Sequence, residues 1–352
     1  MNKKVDYIVV GLGLAGIAFV EELIKGNKTF LVFENSSQVS SLVAGGTYNP
    51  VILKRFTPVW NGHQQLELAL PFYKELEEKL SVKLDAKFIT KKVFNSIGDE
   101  NNWFTALDKP MLSLYMKSEI SKEKIDGVVG EFGFGELKGT GRIDTGVLLK
   151  SYKEYLKEKE VLVEENFEYD TITFEEETVS YQTIRANHII FCEGFGLKKN
   201  PFFNYLPLNG TKGEILTIHA PELKIDFLLK STVFVLPLGD DYYKVGATFN
   251  WTDKTSIPTK EGKEELVEKL KKVIAVPYTI VDQSAGIRPT VKDRRPLVGI
   301  HPQKNKLAVL NGLGTRGVMI APTVAKNLFN HIENNEKLDN DINITRFEAM
   351  LT

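Results

Sequence analysis

Three glycines and one acid near the N-terminus have the spacing to hold a dinucleotide. The run Gly11-Leu-Gly-Leu-Ala-Gly16 follows the apolar stretch Tyr7-Ile-Val-Val10, and Glu34 closes a second apolar stretch, Phe30-Leu-Val-Phe33. Gly11 permits a tight strand-to-helix turn, Gly13 lets backbone amides approach a pyrophosphate, and Gly16 lets the helix lie against the strand. Glu34 would accept hydrogen bonds from an adenosine ribose and repel a 2′-phosphate, which favours FAD or NAD over NADP. A second Gly-rich turn, Asn311-Gly-Leu-Gly-Thr-Arg-Gly317, joins the apolar run Leu307–Leu310 to a helical stretch near the C-terminus. A nicotinamide dehydrogenase needs only the first turn. Two turns suit a longer ligand held from both ends, and a helix N-terminus at the second suits the pyrimidine edge of a flavin, where reduction deposits negative charge. Taken alone, the second turn also fits an αL turn that only closes a last βα unit.

The elements that would position these residues alternate. A strand (5–10), a helix (14–25) and a strand (29–34) lead into a Ser-, Gly- and Thr-rich loop from Asn35 to Pro58, too long for an idle connection. Apolar residues at helical spacing mark a helix from Gly62 to Leu80, kinked at Pro71. Residues 82–138 read as short β segments and turns. Asp144 or Thr145 caps a helix through Leu156, Val161-Leu-Val163 returns as a strand, and a hairpin spans Tyr169 to Ile184. The strand His188-Ile-Ile-Phe-Cys192 ends at a Gly turn. β texture then resumes from Gly213 to Phe249, followed by a polar helix over 260–273 and a final strand and helix around the second Gly turn. The pattern is α/β: a Rossmann-type dinucleotide domain (1–81, 139–204 and 286–352) with an interleaved α+β substrate domain on an antiparallel sheet (82–138 and 205–285).

Composition narrows the function classes. The chain has 352 residues, 42% hydrophobic and 26% charged, with a net charge of −1, which argues against a dominant polyanion-binding face. A single cysteine, Cys192, excludes an internal disulfide framework and a Cys-rich metal site; at a strand end it reads as a buried structural thiol. No metal site is expected. Lys3-Lys4 before an apolar stretch mimics a secretory signal, but the glycines in register with Glu34 favour a folded strand and helix. No run is apolar enough to span a membrane, so a cytoplasmic protein is expected. The five histidines lie in unrelated contexts, with His63 and His219 read as capping or core residues.

Gly286-Ile-Arg-Pro-Thr-Val-Lys-Asp-Arg-Arg-Pro-Leu-Val-Gly299, followed by Gly312-Leu-Gly-Thr-Arg-Gly317 and Ala321-Pro322, resembles the D-amino-acid oxidase and glycine oxidase superfamily. With Ala44-Gly-Gly-Thr-Tyr-Asn-Pro50, these motifs are most similar to the flavin domain of the bifunctional tRNA 5-methylaminomethyl-2-thiouridine biosynthesis enzymes. The resemblance implies non-covalent FAD. By it, Gly11, Gly13, Gly16 and Glu34 grip the adenosine diphosphate, and Ser41, Gly45, Gly46 and Thr47 lie along the pyrophosphate and flavin edge. Gly194 turns beside the cofactor, and Gly312, Gly314, Thr315, Arg316, Gly317 and Val318 cradle the pyrimidine ring. Arg288 matches the arginine that binds a substrate carboxylate; an ion pair with Asp293 or a neighbouring carboxylate in a structural turn is its alternative. Lys244 stands where methylated-amine oxidases carry an oxygen-activating lysine, or faces solvent. Glu193 departs from the family's Ala-Ala-Gly and is expected to be a surface or capping carboxylate. Phe234 and Leu238 replace polar residues of relatives, so substrate choice does not carry over.

The implied reaction is oxidation of a C–N bond in a small amine or amino acid by hydride transfer to flavin N5, with imine hydrolysis and reoxidation by oxygen. Demodification of a tRNA wobble-uridine side chain ranks second, because no large basic face is evident. A protein that binds FAD without catalysis ranks third. Neither a membrane partner nor an oligomeric state is indicated.

Overall fold

The β-branched and aromatic run at the N-terminus forms the centre of a sheet whose two faces are both covered. The computed structural model describes residues 3–351. Strand Lys3–Val10 pairs in parallel with Phe30–Phe33 on one side and Ile184–Phe191 on the other. Leu162–Val163 extends the sheet beyond Phe30–Phe33, and Lys304–Asn311 runs parallel to the end of Ile184–Phe191. An antiparallel hairpin, Ile172–Phe174 with Val179–Tyr181, and the strand Leu297–His301 complete it. Side chains alternate across a strand, so Tyr7 and Val9 enter one core while Ile8 and Val10 enter the other.

The first core lies under four helices: Leu14–Lys25, Gly62–Leu80, Thr145–Glu158 and Gly317–Asn334. Leu14–Lys25 is buried from Leu14 to Glu21 and at Leu23, as its run of apolar residues through Val20 requires. Its buried Glu21 carboxylate accepts from the Tyr152 hydroxyl at 2.7 Å and pairs with Lys79, which offsets the cost of burying charge. Thr145–Glu158 begins where expected, with the Asp144 carboxylate accepting from the Val147 amide at 3.0 Å. Gly317–Asn334 ends on Asn335 in the left-handed region. The second core is more aromatic, with Phe33, Tyr181, Phe191 and Phe203 on the opposite face.

A second eight-stranded sheet has the order Thr279–Arg288, Thr211–His219, Tyr242–Gly246, Phe234–Gly239, Leu228–Lys230, Thr90–Val93, Phe134–Leu137, Met116–Ser121. It is antiparallel except where Leu228–Lys230 meets Thr90–Val93 in parallel. That pair joins strands from the two segments separated in sequence. Lys260–Leu270 packs on this sheet through Leu266 and Leu270.

One expectation fails within residues 82–138, where helix Ile97–Leu107 interrupts the β texture. Its Asn101-Asn102 pair is a weak helix former, and Trp103 and Ala106 are its only buried residues. The signal lies in its cap: the Ser96 hydroxyl accepts from the Asp99 amide at 3.2 Å, ahead of two acids in the first turn.

A Cβ on Gly16 would lie 2.0 Å from the Gly11 carbonyl oxygen, whereas one on Gly13 would meet nothing closer than Ser41 Oγ at 3.4 Å. Gly16→Ala should therefore cost about 2 kcal/mol or more of folding stability and Gly13→Ala less than about 1 kcal/mol, read by thermal unfolding of the two variants side by side.

Candidate functional site

The strand register brings the motifs to one edge. Val10 lies opposite Phe33 and Phe191, and Phe191 opposite Val309, so Gly11, Glu34, Cys192–Gly194 and Asn311–Gly312 all leave the sheet at its carboxyl ends. Ligands of open α/β sheets bind in this crevice. Gly11 has φ +96°, and a Cβ there would sit 2.6 Å from the Cys192 carbonyl oxygen, so no other residue fits. Gly13 opens helix Leu14–Lys25 with no side chain capping its first turn, leaving amides and the positive dipole end for an anion. Glu34 accepts from the Leu12 amide at 2.6 Å through Oε2 and from Ser36 through Oε1, which fixes its carboxylate at the cavity wall.

The second turn is bolted to the first. The Asn311 side chain donates to the Gly194 carbonyl at 2.9 Å and accepts from the Gly312 amide at 2.7 Å. Gly312 and Gly314 both have positive φ; a Cβ on Gly312 would strike Val291, while Gly314 faces open space. The Gly314 amide donates to the Pro289 carbonyl at 3.1 Å, tying this turn to the strand that carries Arg288. Helix Gly317–Asn334 also begins without a side-chain cap. A Cβ on Gly317 would come 3.1 Å from Leu14, so the two helix N-termini converge.

A cavity of about 1010 Å³ runs from Glu34 past both turns to Arg288. Ser41, Gly45, Gly46, Thr47, Gly194, Thr315 and Val318 also line it. Gly46 is required by its close approach to Ile143, whose carbonyl oxygen a Cβ would meet at 2.0 Å. Gly16, Gly312 and Arg316 stand behind the wall. Arg316 donates to the Asn49 carbonyl at 2.8 Å, and burial pushes its guanidinium down to about 10; it holds the 47–50 segment and does not face the ligand space. The glycine cradles, the uncapped helix ends and an acid for the ribose fit FAD.

At the far end, Arg288 lies over Gly213, where a Cβ would be 2.0 Å from Nη2. Its guanidinium stacks on Phe249 at 4.4 Å and donates to the Thr248 carbonyl at 3.3 Å. Burial pushes it down to about 10, so it stays charged at neutral pH. The ion pair with Asp293 does not form: that carboxylate accepts from Arg346 at 2.9 Å, and no carboxylate pairs with Arg288 among the described residues. Lys244 donates to the Ala44 carbonyl at 3.3 Å. It is partly buried, against the 44–47 segment, and outside the cavity lining; burial lowers its pKa.

Glu193 is a correction. It is buried in the cavity wall, accepting from the Tyr169 hydroxyl and from Asn200 Nδ2 at 2.8 Å, because the strand end turns it inward onto the 169–171 turn. Burial raises its pKa. Cys192 is buried as expected, and burial raises its thiol pKa too. None of the five histidines lines the cavity: His63 meets the Tyr115 hydroxyl, His219 packs on Tyr242, and half-buried His188 stacks on Tyr7, desolvation pushing its pKa down to about 4. No metal-holding cluster and no helix apolar enough to cross a membrane occurs among the described residues. Among the wall residues that no motif announced are Phe249, and Lys230 at the end of a short strand.

Comparison with known proteins bears on the cofactor. Residues 6–330 match the DAO family model, described as FAD dependent oxidoreductase. Glycine oxidase from Bacillus subtilis (strain 168) is 25% identical, covering 96% of this chain and 95% of the relative. A tRNA 5-methylaminomethyl-2-thiouridine biosynthesis bifunctional protein from Marinobacter nauticus is 24% identical, over 43% of this chain and 26% of the relative. The crystal structure of glycine oxidase from Geobacillus kaustophilus superposes with a TM-score of 0.80 at 18% identity, covering 98% of each chain.

Loss of the Glu34 carboxylate removes charge-assisted hydrogen bonds worth about 1.5–3 kcal/mol. Glu34→Ala should weaken FAD retention roughly 10- to 100-fold, read by absorbance of the flavin left after dialysis, while Arg288→Ala should keep a full complement.

Proposed function

Because the chain belongs to the DAO family of FAD-dependent oxidoreductases, we propose that it oxidises the C–N bond of a small amine or amino acid. The observation that carries this reading is Arg288, a partly buried guanidinium without a carboxylate partner among the described residues, at the opposite end of the cavity from Glu34. Arginine presents paired donors that match a carboxylate in two-point geometry. A substrate held there is oriented by its carboxylate, with the Phe234 ring beside it in the cavity wall.

Held between the Gly11–Gly13 turn with Glu34 and the Gly314–Val318 turn, FAD would supply a two-electron acceptor for the substrate's hydride. The substrate carbon loses its hydrogen with the electron pair while the nitrogen lone pair forms the C=N bond. Water then hydrolyses the imine to a carbonyl compound and an amine or ammonia. The cavity offers no histidine as base, and none is needed: the ammonium gives its proton to solvent, and orientation with desolvation supplies the rest. Lys244, tied to Ala44, takes no step in this scheme.

A small substrate is favoured over tRNA. The glycine oxidase relative matches along the whole chain, whereas the tRNA-modifying relative is matched over a quarter of its length. The net charge of −1 offers no excess of phosphate-binding cations.

Anaerobic mixing of the holoprotein with glycine, sarcosine, D-amino acids, proline and hypomodified tRNA tests the reading. A small amine should bleach the flavin, and colour should return with oxygen uptake in air. Bleaching by tRNA alone, or by nothing, overturns it. Arg288→Ala should raise KM for a carboxylate substrate on the order of 100-fold, matching about 3 kcal/mol for a charged two-point contact.

A further inference from the structure

The floor of the cavity beyond Arg288 is one face of the second sheet, and the registers lay out its side chains in a row. Lys230 lies opposite Phe234, Phe234 opposite Gly246, and Gly246 opposite Ile215. Gly213 is two residues before Ile215, and Thr211, two further back, pairs with Arg288. Residues two apart share a face, so Lys230 and Arg288 rise from the same floor at opposite ends. Both glycines make room. A Cβ on Gly246 would strike the Phe234 ring at 2.9 Å, and one on Gly213 would strike the Arg288 guanidinium. Four strand spacings across the sheet and four residues along Thr211–His219 separate the two backbones, roughly 23 Å, and two long side chains reach inward across that span.

Lys230, half-buried, differs from the two buried lysines of this sheet. Lys212 pairs with Asp253, and Lys92, its neighbour across the strand pair, donates to the Val93 carbonyl at 2.6 Å and lies 3.9 Å from Asp99. The Lys230 ammonium has no hydrogen bond and no salt bridge among the described residues; it sits 5.6 Å from the Phe234 ring centre and lines the cavity. Desolvation, and then the two cations Lys92 and Arg288, push it down to about 8. Two cations facing one sheltered space without an anion are costly until anions arrive. A monocarboxylate satisfies one and leaves the other bare.

We propose that Lys230 is a second anchor of the substrate site, and that the substrate is an amine bearing two carboxylates, one for Arg288 and one for Lys230. This rests on the reading of Arg288 as the first carboxylate anchor. The amine-bearing carbon then lies between the two anchors, held at both ends along the floor. Phe234 separates the cations and packs against the short carbon chain joining the acids.

Titration of the holoprotein with non-reactive acids, followed by the shift of the flavin absorption band, tests binding apart from turnover. Succinate and malonate should bind at least 10-fold more tightly than propionate and acetate. Lys230→Met and Lys230→Gln, checked for flavin content and melting temperature, should bring that ratio close to one, and Lys230→Arg should restore it. In turnover, iminodiacetate or aspartate should exceed sarcosine and glycine in kcat/KM for the natural protein and lose the advantage in Lys230→Met. Equal binding of mono- and diacids by the natural protein, or a ratio that survives both neutral substitutions, overturns the inference while leaving Arg288 as a clamp. If no carboxylate binds and no amine bleaches the flavin, the Arg288 reading falls and this one with it.

Discussion

The common register of the parallel strands is the constraint on which the molecule depends. Val10, Phe33, Phe191 and Val309 stand level, and every ligand-facing turn is the next few residues of one of those strands. A slip of one residue in any pairing would exchange the two cores, because Tyr7 and Val9 belong to one and Ile8 and Val10 to the other. It would also drive Gly11 into Cys192. Binding geometry and core packing are thus set by the same pairings.

Close backbone contacts then lock the edge. Gly11 meets Cys192, Gly16 meets Gly11, Gly46 meets Ile143, and Gly317 meets Leu14. Asn311 ties the last strand to Gly194, and Arg316 ties the last helix to Asn49. The glycine spacing expresses packing as much as ligand approach; Gly16 and Gly312 do their work entirely behind the wall.

Much of this was legible because it rests on local signals. A glycine at a strand end, an acid at the end of the next strand and Asp144 ahead of a helix each act within a few residues. What was not legible depends on partners distant in sequence. Asp293 is near Arg288 along the chain, yet it pairs with Arg346. Glu193 reads as a surface acid until Tyr169 and Asn200 close over it. Lys244 lies on the expected strand, but the Ala44 carbonyl captures its ammonium. Lys230 belongs to a three-residue strand with no motif, and its setting arises only when five strands between residues 211 and 288 align out of sequence order. The helix Ile97–Leu107 hid because its buried residues are too few to show a period.

The parallel contact between Thr90–Val93 and Leu228–Lys230 joins residues more than a hundred positions apart, and Lys3–Val10 finds one of its two neighbours only at Ile184–Phe191. Such pairings carry a high loop-closure cost before they return any stability. During synthesis the first strand and its glycine turn emerge early, yet they stay unsheltered until the Gly317–Asn334 helix packs on Leu14–Lys25. The chain is therefore not built for piecewise folding from its N-terminus. Its apolar centre waits for the last turn of the cofactor cradle, so the element that closes the ligand site also ends the period in which the nascent protein is exposed to aggregation.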